Sequence, residues 1–237
     1  MNYNIVTFSY HDVCDDPYTS GFNRESALPY KLSTKRFAKD IQAIKNSNIK
    51  PVKINKIKDL SSKHKILLTF DDGGKSAMYI ADTLEKNECF GHFFITTSMI
   101  GSSLFLNKHE IKELFLRGHI IGTHSHTHPM PFRKLSYKKM LNEWKVSIDI
   151  LNQIIDSKVV CASIPGGDMN SKTIKYASES NIKYLFTSEP FNKAWTRNDV
   201  IIFGRVFPKN NTKILEIENF ANNKKPSFCG VFNYPRG

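Results

Sequence analysis

The strongest constraint on what this chain can fold into is an alternation: short β-rich runs recur along it, and a helical segment separates most of them from the next. The runs are "YNIVTFSY" at 3 to 10, "KILLTF" at 65 to 70, "GHFFITT" at 91 to 97, "HIIGTH" at 119 to 124, "VVCASI" at 159 to 164, "KYLFTS" at 183 to 188 and "VIIFGRVF" at 200 to 207. Ser33 caps a first helix in which Phe37, Ile41 and Ile44 recur at helical spacing. Further helices are expected near 75 to 87, 107 to 117, 136 to 156, 170 to 180 and 212 to 222. The helix from Ser136 is the clearest, with Met140, Leu141, Trp144, Ile148, Leu151 and Ile155 tracing one apolar face. About seven or eight β/α units without repeats or linkers imply one α/β domain over 1–237, built on a parallel sheet or barrel. In such folds, chemistry gathers at the C-terminal ends of the strands.

Composition narrows the class of partner. With 40% hydrophobic and 24% charged residues the chain has ordinary globular statistics and enough apolar material for a substantial core. The start, "MNYNIVTFSYHD", has neither the basic nor the apolar region of a secretory signal, and no run approaches ~18 to 20 apolar residues, so a soluble, cytoplasmic protein without a transmembrane segment is expected. Cys14, Cys89, Cys161 and Cys229 are far apart and are read as free thiols. The formal charge is +12, but the lysines are scattered among Asp, Asn and Ser without interleaved aromatics, which reads as a solvated basic surface rather than a specific nucleic-acid platform.

Two strand ends carry the chemistry. In "TFDDGG", Asp71 and Asp72 stand directly after the apolar run Ile66-Leu-Leu68 and before a glycine pair that lets the chain turn sharply. Alone, this is ordinary turn chemistry with Asp72 as a helix cap. In "GTHSHTHPM", His124, His126 and His128 fall together in a chain with eight histidines. If the segment is helical, His124 and His128 at i and i+4 face one side; if extended, all three share a face; either arrangement suits a metal ion. Two histidines are too few for a catalytic zinc site, and a carboxylate from the neighbouring strand end would complete it, leaving the other acid as a base.

On these two motifs the chain resembles the NodB-type polysaccharide deacetylases, carbohydrate esterase family four. The family's T-F-D-D-G is matched by Thr69 to Gly73, and its H-S/T-x-x-H by His124 to His128, in the same order. The resemblance implies a distorted (β/α)7-type barrel and metal-dependent removal of acetyl groups from N-acetylated sugars. It implies that Asp72, His124 and His128 hold one divalent metal, usually zinc, and that Asp71 is the catalytic base. The family's R-x-P-Y/F-G is met only in part by Ser163-Ile-Pro-Gly-Gly167: Ser163 stands where an arginine orients the catalytic aspartate, and Gly166 replaces the aromatic residue. The Gly166 N–H can still serve an oxyanion hole, because that role needs no side chain. Arg205, in "FGRVF", is a candidate replacement for the orienting arginine, set against a surface or structural ion pair.

No histidine follows His128, whereas the family usually carries a C-terminal one as general acid. "FSYHDV" ends the first strand with His11 and resembles the Y-H-x-V/I motif of the circularly permuted poly-N-acetylglucosamine deacetylases, so a permuted barrel with His11 as acid is expected. Asp12 or Asp15 is a candidate to orient it. The stretch "DDPYTSGFNRESALPYKLS", residues 15 to 33, is long for an α/β connection and is expected to form a substrate-facing lid. Two other readings stay open: a same-fold amidohydrolase acting on a non-sugar C–N bond, and a non-catalytic barrel that binds glycan or nucleic acid.

Overall fold

Alternate residues of the strands face two different cores, and this sorting places the site. The computed structural model describes residues 4–57 and 64–224. Its strands are β1 (Asn4–Tyr10), β2 (His64–Phe70), β3 (His92–Ile95), β4 (Ile120–Thr123), β5 (Cys161–Ser163), β6 (Tyr184–Phe186), β7 (Trp195–Arg197) and β8 (Val200–Phe203). Its helices are α1 (Thr34–Lys45), α2 (Ala77–Lys86), α3 (Lys108–Leu116), α4 (Tyr137–Ile155), α5 (Ser171–Glu179) and α6 (Ile214–Ala221). One sheet holds all eight strands in the order β1-β2-β3-β4-β5-β6-β8-β7, parallel throughout except for the β7–β8 hairpin. From β1 to β6 each parallel connection carries one helix, α1 to α5 in turn.

The sheet curls into a distorted barrel whose seam is bridged rather than fully paired. Beyond β8 the chain leaves β6: Ser9 donates its N–H to the Val206 carbonyl and Val206 donates to the Thr7 carbonyl, each at 2.8 Å. The run expected as one strand over 200 to 207 therefore splits, its first half pairing with β6 and its second with β1. The β7 hairpin was not expected. Trp195, Thr196 and Arg197 are all exposed and show no core pattern, and the turn is made by Asn198 and Asp199 at φ 50° and 61°.

The helices form where caps and apolar stripes agree. Ser33 accepts from the Arg36 N–H at the start of α1, and Asn107 and Glu110 form a reciprocal capping box on α3. On α4, Met140, Trp144 and Leu151 are fully buried, each worth about 1.5–3 kcal/mol of transfer free energy. The helix stops at Asp156, which is left-handed at φ 51°.

Ile66, Leu68, Phe93, Ile95, Ala162, Leu185 and Ile202 pack with the helices in the larger core. The alternate residues Ile5, Leu67, Phe94, Cys161, Phe186 and Phe203 form a second, inner cluster, in which the Phe186 and Phe203 rings stack at 4.9 Å. Following the inward set by steps of two toward the strand C-termini leads from Leu67 through Thr69 to Asp71, from Cys161 to Ser163, from Phe203 to Arg205 and from Ile5 to His11. The barrel is thus apolar at its base and polar at its mouth. No described helix is long and apolar enough to cross a membrane. Cys14, Cys89 and Cys161 are free, and Cys229 lies outside the described residues.

Candidate active site

The two acids of "TFDDGG" separate because the backbone turns between them. Asp71 extends the β1–β2 ladder by one bond past the end of β2, its N–H donating to the Tyr10 carbonyl at 2.9 Å. Asp72 then enters the left-handed region at φ 76° and Gly73 follows at φ 79°. Asp72 is not a helix cap, since α2 begins only at Ala77. The histidine segment is neither helix nor strand. It is a turn with left-handed Ser125 (φ 66°) and His128 (φ 56°), each costing about 1–2 kcal/mol for a non-glycine residue. The turn is held by Ser125 N–H to Thr123 Oγ1 at 3.0 Å and His128 N–H to Ser125 Oγ at 3.1 Å. It aims His124 and His128 together and sends His126 away, where its Nδ1 meets Thr97 Oγ1 at 3.0 Å.

Asp72, His124 and His128 offer ligand atoms that all lie within 4.8 Å of one another. Asp72 Oδ1 is the shared point, 3.4 Å from His124 Nε2 and 3.5 Å from His128 Nε2. His124 Nδ1 lies 2.9 Å from the Ser163 carbonyl, which can only accept, so in the neutral ring the proton sits on Nδ1 and the Nε2 lone pair faces the cluster. Two imidazoles and one carboxylate, all buried, fit a divalent ion of the zinc type with one position open.

The titration pattern of the metal-free cluster follows from crowding. Burial pushes the Asp72 carboxyl up, but the His124 hydrogen bond and the charges of the neighbouring histidines outweigh it and hold the group well below its usual range. Burial lowers His124, but Asp71 and Asp72 bring its net shift above the ordinary imidazole value. His128 is brought down to about 4 by burial and by the charge of His124.

Asp71 is fixed from two sides. Arg205 Nη1 donates to Oδ1 at 2.8 Å, and Ser163 Oγ donates to Oδ2 at 3.0 Å. Arg205 is 1% exposed and its Nε donates to the Thr187 carbonyl at 3.0 Å, so this is a buried pair, not a surface one. Burial raises the Asp71 carboxyl, yet Arg205, His124 and His11 together hold it below the usual carboxylate value. Oδ2 also lies 3.9 Å from His124 Nε2, so the atom that accepts from Ser163 borders the ligand cluster.

His11 is half-buried at the mouth, its ring 5.1 Å from Tyr30 and 6.3 Å from Phe207, near enough for its charge to act on both Asp71 and Asp72. Neither acid considered for orienting it is bonded to it. Asp12 is buried and accepts from the hydroxyls of Ser20 and Ser76, while Asp15 accepts from the Thr34 N–H and hydroxyl. Gly166 lies on the turn after β5 at φ 68°, and a Cβ there would stand 3.1 Å from Met130 Sδ. Residues 15 to 33 are not simply exposed. The Lys31 ammonium binds the Pro17 and Ser20 carbonyls, Gly21 N–H donates to the Leu104 carbonyl, and the Phe22 ring lies 5.0 Å from the His128 ring. One site-bordering residue went unmarked in the sequence: Glu143 on α4, whose carboxylate holds the backbone between the two histidines. The signal available for it was an acid beside Trp144 and Met140 on the helix's inner side.

A family model described as polysaccharide deacetylase matches residues 58–185. An uncharacterized protein of Geobacillus stearothermophilus is 29% identical over 133 residues, 55% of this chain and 48% of that protein. The peptidoglycan-N-acetylglucosamine deacetylase PgdA of Listeria monocytogenes is 30% identical over 132 residues, 51% of this chain and 27% of that protein. The matched region thus spans about half of the first relative and about a quarter of the second. In fold, the chain is similar to the Streptococcus pyogenes deacetylase PplD, solved in complex with acetate, at TM-score 0.77 and 19% identity over 93% of this chain and 99% of that one. It is similar in the same way to IcaB from Ammonifex degensii, at TM-score 0.77 and 18% identity over 93% and 97%.

Proposed function

Because the chain belongs to the polysaccharide deacetylase family, we propose that it is a metal-dependent hydrolase that removes N-acetyl groups from an amino sugar in a polysaccharide, an oligosaccharide or a surface-glycan precursor. The observation that carries this reading is the convergence of Asp72, His124 and His128 beside an Asp71 carboxylate that is held separately by Arg205 and Ser163. A divalent ion held by those three side chains, proposed as zinc, would supply Lewis acidity, polarising an amide carbonyl and making water nucleophilic near neutral pH.

Asp71 is the proposed base, taking the proton of the attacking water on Oδ2. Its ion pair with Arg205 keeps it ionised and weakens it as a base, which would suit a water made more acidic by a bound ion. Ser163 and Arg205 together do the orienting work that the family assigns to one arginine, and they do it from β5 and from the segment after β8. The Gly166 N–H is the proposed donor to the developing oxyanion. His11 is the proposed acid that protonates the departing amine, because an amine anion is too poor a leaving group. Supply of that proton from the end of β1 is the part of the reading that corresponds to a circularly permuted barrel.

The test is acetate release from a panel of N-acetylated oligosaccharides and sugar precursors by zinc-loaded protein. Release that stops with a chelator and returns with zinc supports the proposal. No release from any substrate by protein shown to carry zinc overturns it.

A further inference from the structure

We infer that Glu143 is a positioning residue, holding the turn between His124 and His128 in its metal-binding shape before any metal arrives; this rests on the reading of those histidines as ligands. Glu143 is 9% exposed on α4, sequence-distant from the turn it touches. Its Oε2 accepts the backbone N–H of His126 at 2.9 Å and of Thr127 at 2.7 Å, and its Oε1 accepts the Thr127 hydroxyl at 2.6 Å. No ion pair to Glu143 occurs among the described residues, so its charge is met by these donors alone. One turn further along α4, Ser147 Oγ lies 2.6 Å from Thr123 Oγ1, the same oxygen that accepts the Ser125 N–H.

Residues 143 and 147 are four apart and share a face, so a single helix face grips the turn at both ends. That grip is placed where the backbone most needs it. Ser125 and His128 both adopt left-handed conformations that side chains other than glycine disfavour. As packing material beside Trp144, a buried carboxylate is a poor choice, since it must be desolvated. As a clamp on two adjacent N–H groups it is well matched, because charge-assisted hydrogen bonds are the strong ones. Groups that orient metal ligands typically change metal affinity about 10- to 100-fold when lost.

The variants separate shape from charge. Glu143→Leu removes all three acceptor contacts. Glu143→Gln keeps an oxygen for the two N–H groups and presents its amide to the Thr127 hydroxyl, so the shape survives without the charge. Zinc affinity is measured by competition with a chromophoric chelator, and folding by circular dichroism of the metal-free protein. The expected result is a dissociation constant raised about 10- to 100-fold in Glu143→Leu and by less than about tenfold in Glu143→Gln. Should Glu143→Leu not fold, Thr127→Val removes one contact only and is expected to raise the constant by a few-fold, about a single hydrogen bond's worth. A folded Glu143→Leu, or in its place Thr127→Val, that binds zinc as tightly as the unaltered chain overturns the inference and leaves the deacetylase reading intact. An unaltered chain that binds no zinc overturns both.

Discussion

Replacing Arg205 with methionine should destabilise the protein by an amount that depends on pH in a predictable way. The substitution leaves Asp71, 5% exposed, with Ser163 as its remaining side-chain donor. Breaking a buried pair by removing one partner costs about 3–5 kcal/mol, because a charge is left buried and uncompensated. Asp71 can escape by taking a proton, and that sets a ceiling. For a carboxylate whose unfolded pKa is about 3.9, remaining protonated at pH 7 costs about 4 kcal/mol, and at pH 5 only about 1.5 kcal/mol. The Thr187 carbonyl also loses its donor, adding about 1 kcal/mol at either pH. Urea unfolding of chelator-treated protein should therefore show losses of up to about 5 kcal/mol at pH 7 and about 2.5 kcal/mol at pH 5, upper values because His124 can share the charge from 3.9 Å. The sign is fixed: the variant's folded state binds the extra proton, so its deficit shrinks as pH falls. A deficit under about 1 kcal/mol at pH 7, or one equal at both pH values, refutes the account of Arg205 as the partner that keeps Asp71 ionised.

His11→Gln should lower kcat about 10²- to 10⁴-fold while zinc affinity stays unchanged, read by acetate release and chelator competition; a coincident loss of zinc would instead make His11 part of the ligand shell. Zinc affinity should fall about tenfold for each pH unit below the raised His124 pKa, since the ion must displace that proton, and titration from pH 8 to 5.5 would expose a flat response as contrary. His92 is buried and neutral, accepting the Ile54 N–H on Nε2 and donating from Nδ1 to the Leu68 carbonyl, with burial lowering its pKa to about 4. Its unfolded value is about 6.5, so the stability it contributes is present above that pH and is lost, by up to about 3 kcal/mol, as pH falls toward 4. His92→Gln should flatten the slope of unfolding free energy against pH in that window, and an unchanged slope would refute the assignment.

Much of this arrangement could be read from the sequence because it depends on periods. The inner strand sides are set by alternation, so Leu67 predicts where Asp71 points and Phe203 predicts where Arg205 points. Residues 204–207 obscured this by continuing the β8 pattern while changing partner from β6 to β1. The histidine spacing indicated a shared target, but helix and strand were both open and neither formed. A turn with left-handed Ser125 and His128 has no propensity signature: side-chain bonds from Thr123 and Ser125 close it locally, and the remote Glu143 carboxylate holds it from α4. Glu143 stayed hidden and Asp12 drew the wrong partner because an acid looks like surface until its contacts are known, and theirs come from remote segments. Strand β7 is exposed on every residue and so wrote no hydrophobic pattern at all.

The most direct test of the central claim is acetate release by Asp71→Asn protein shown to carry one zinc. The account predicts that the unaltered, zinc-loaded chain releases acetate from an N-acetylated oligosaccharide, and that Asp71→Asn, with the same zinc content, is slower by at least about 10²-fold. Comparable release by both proteins would contradict the claim that Asp71 is the base beside the Asp72, His124 and His128 cluster.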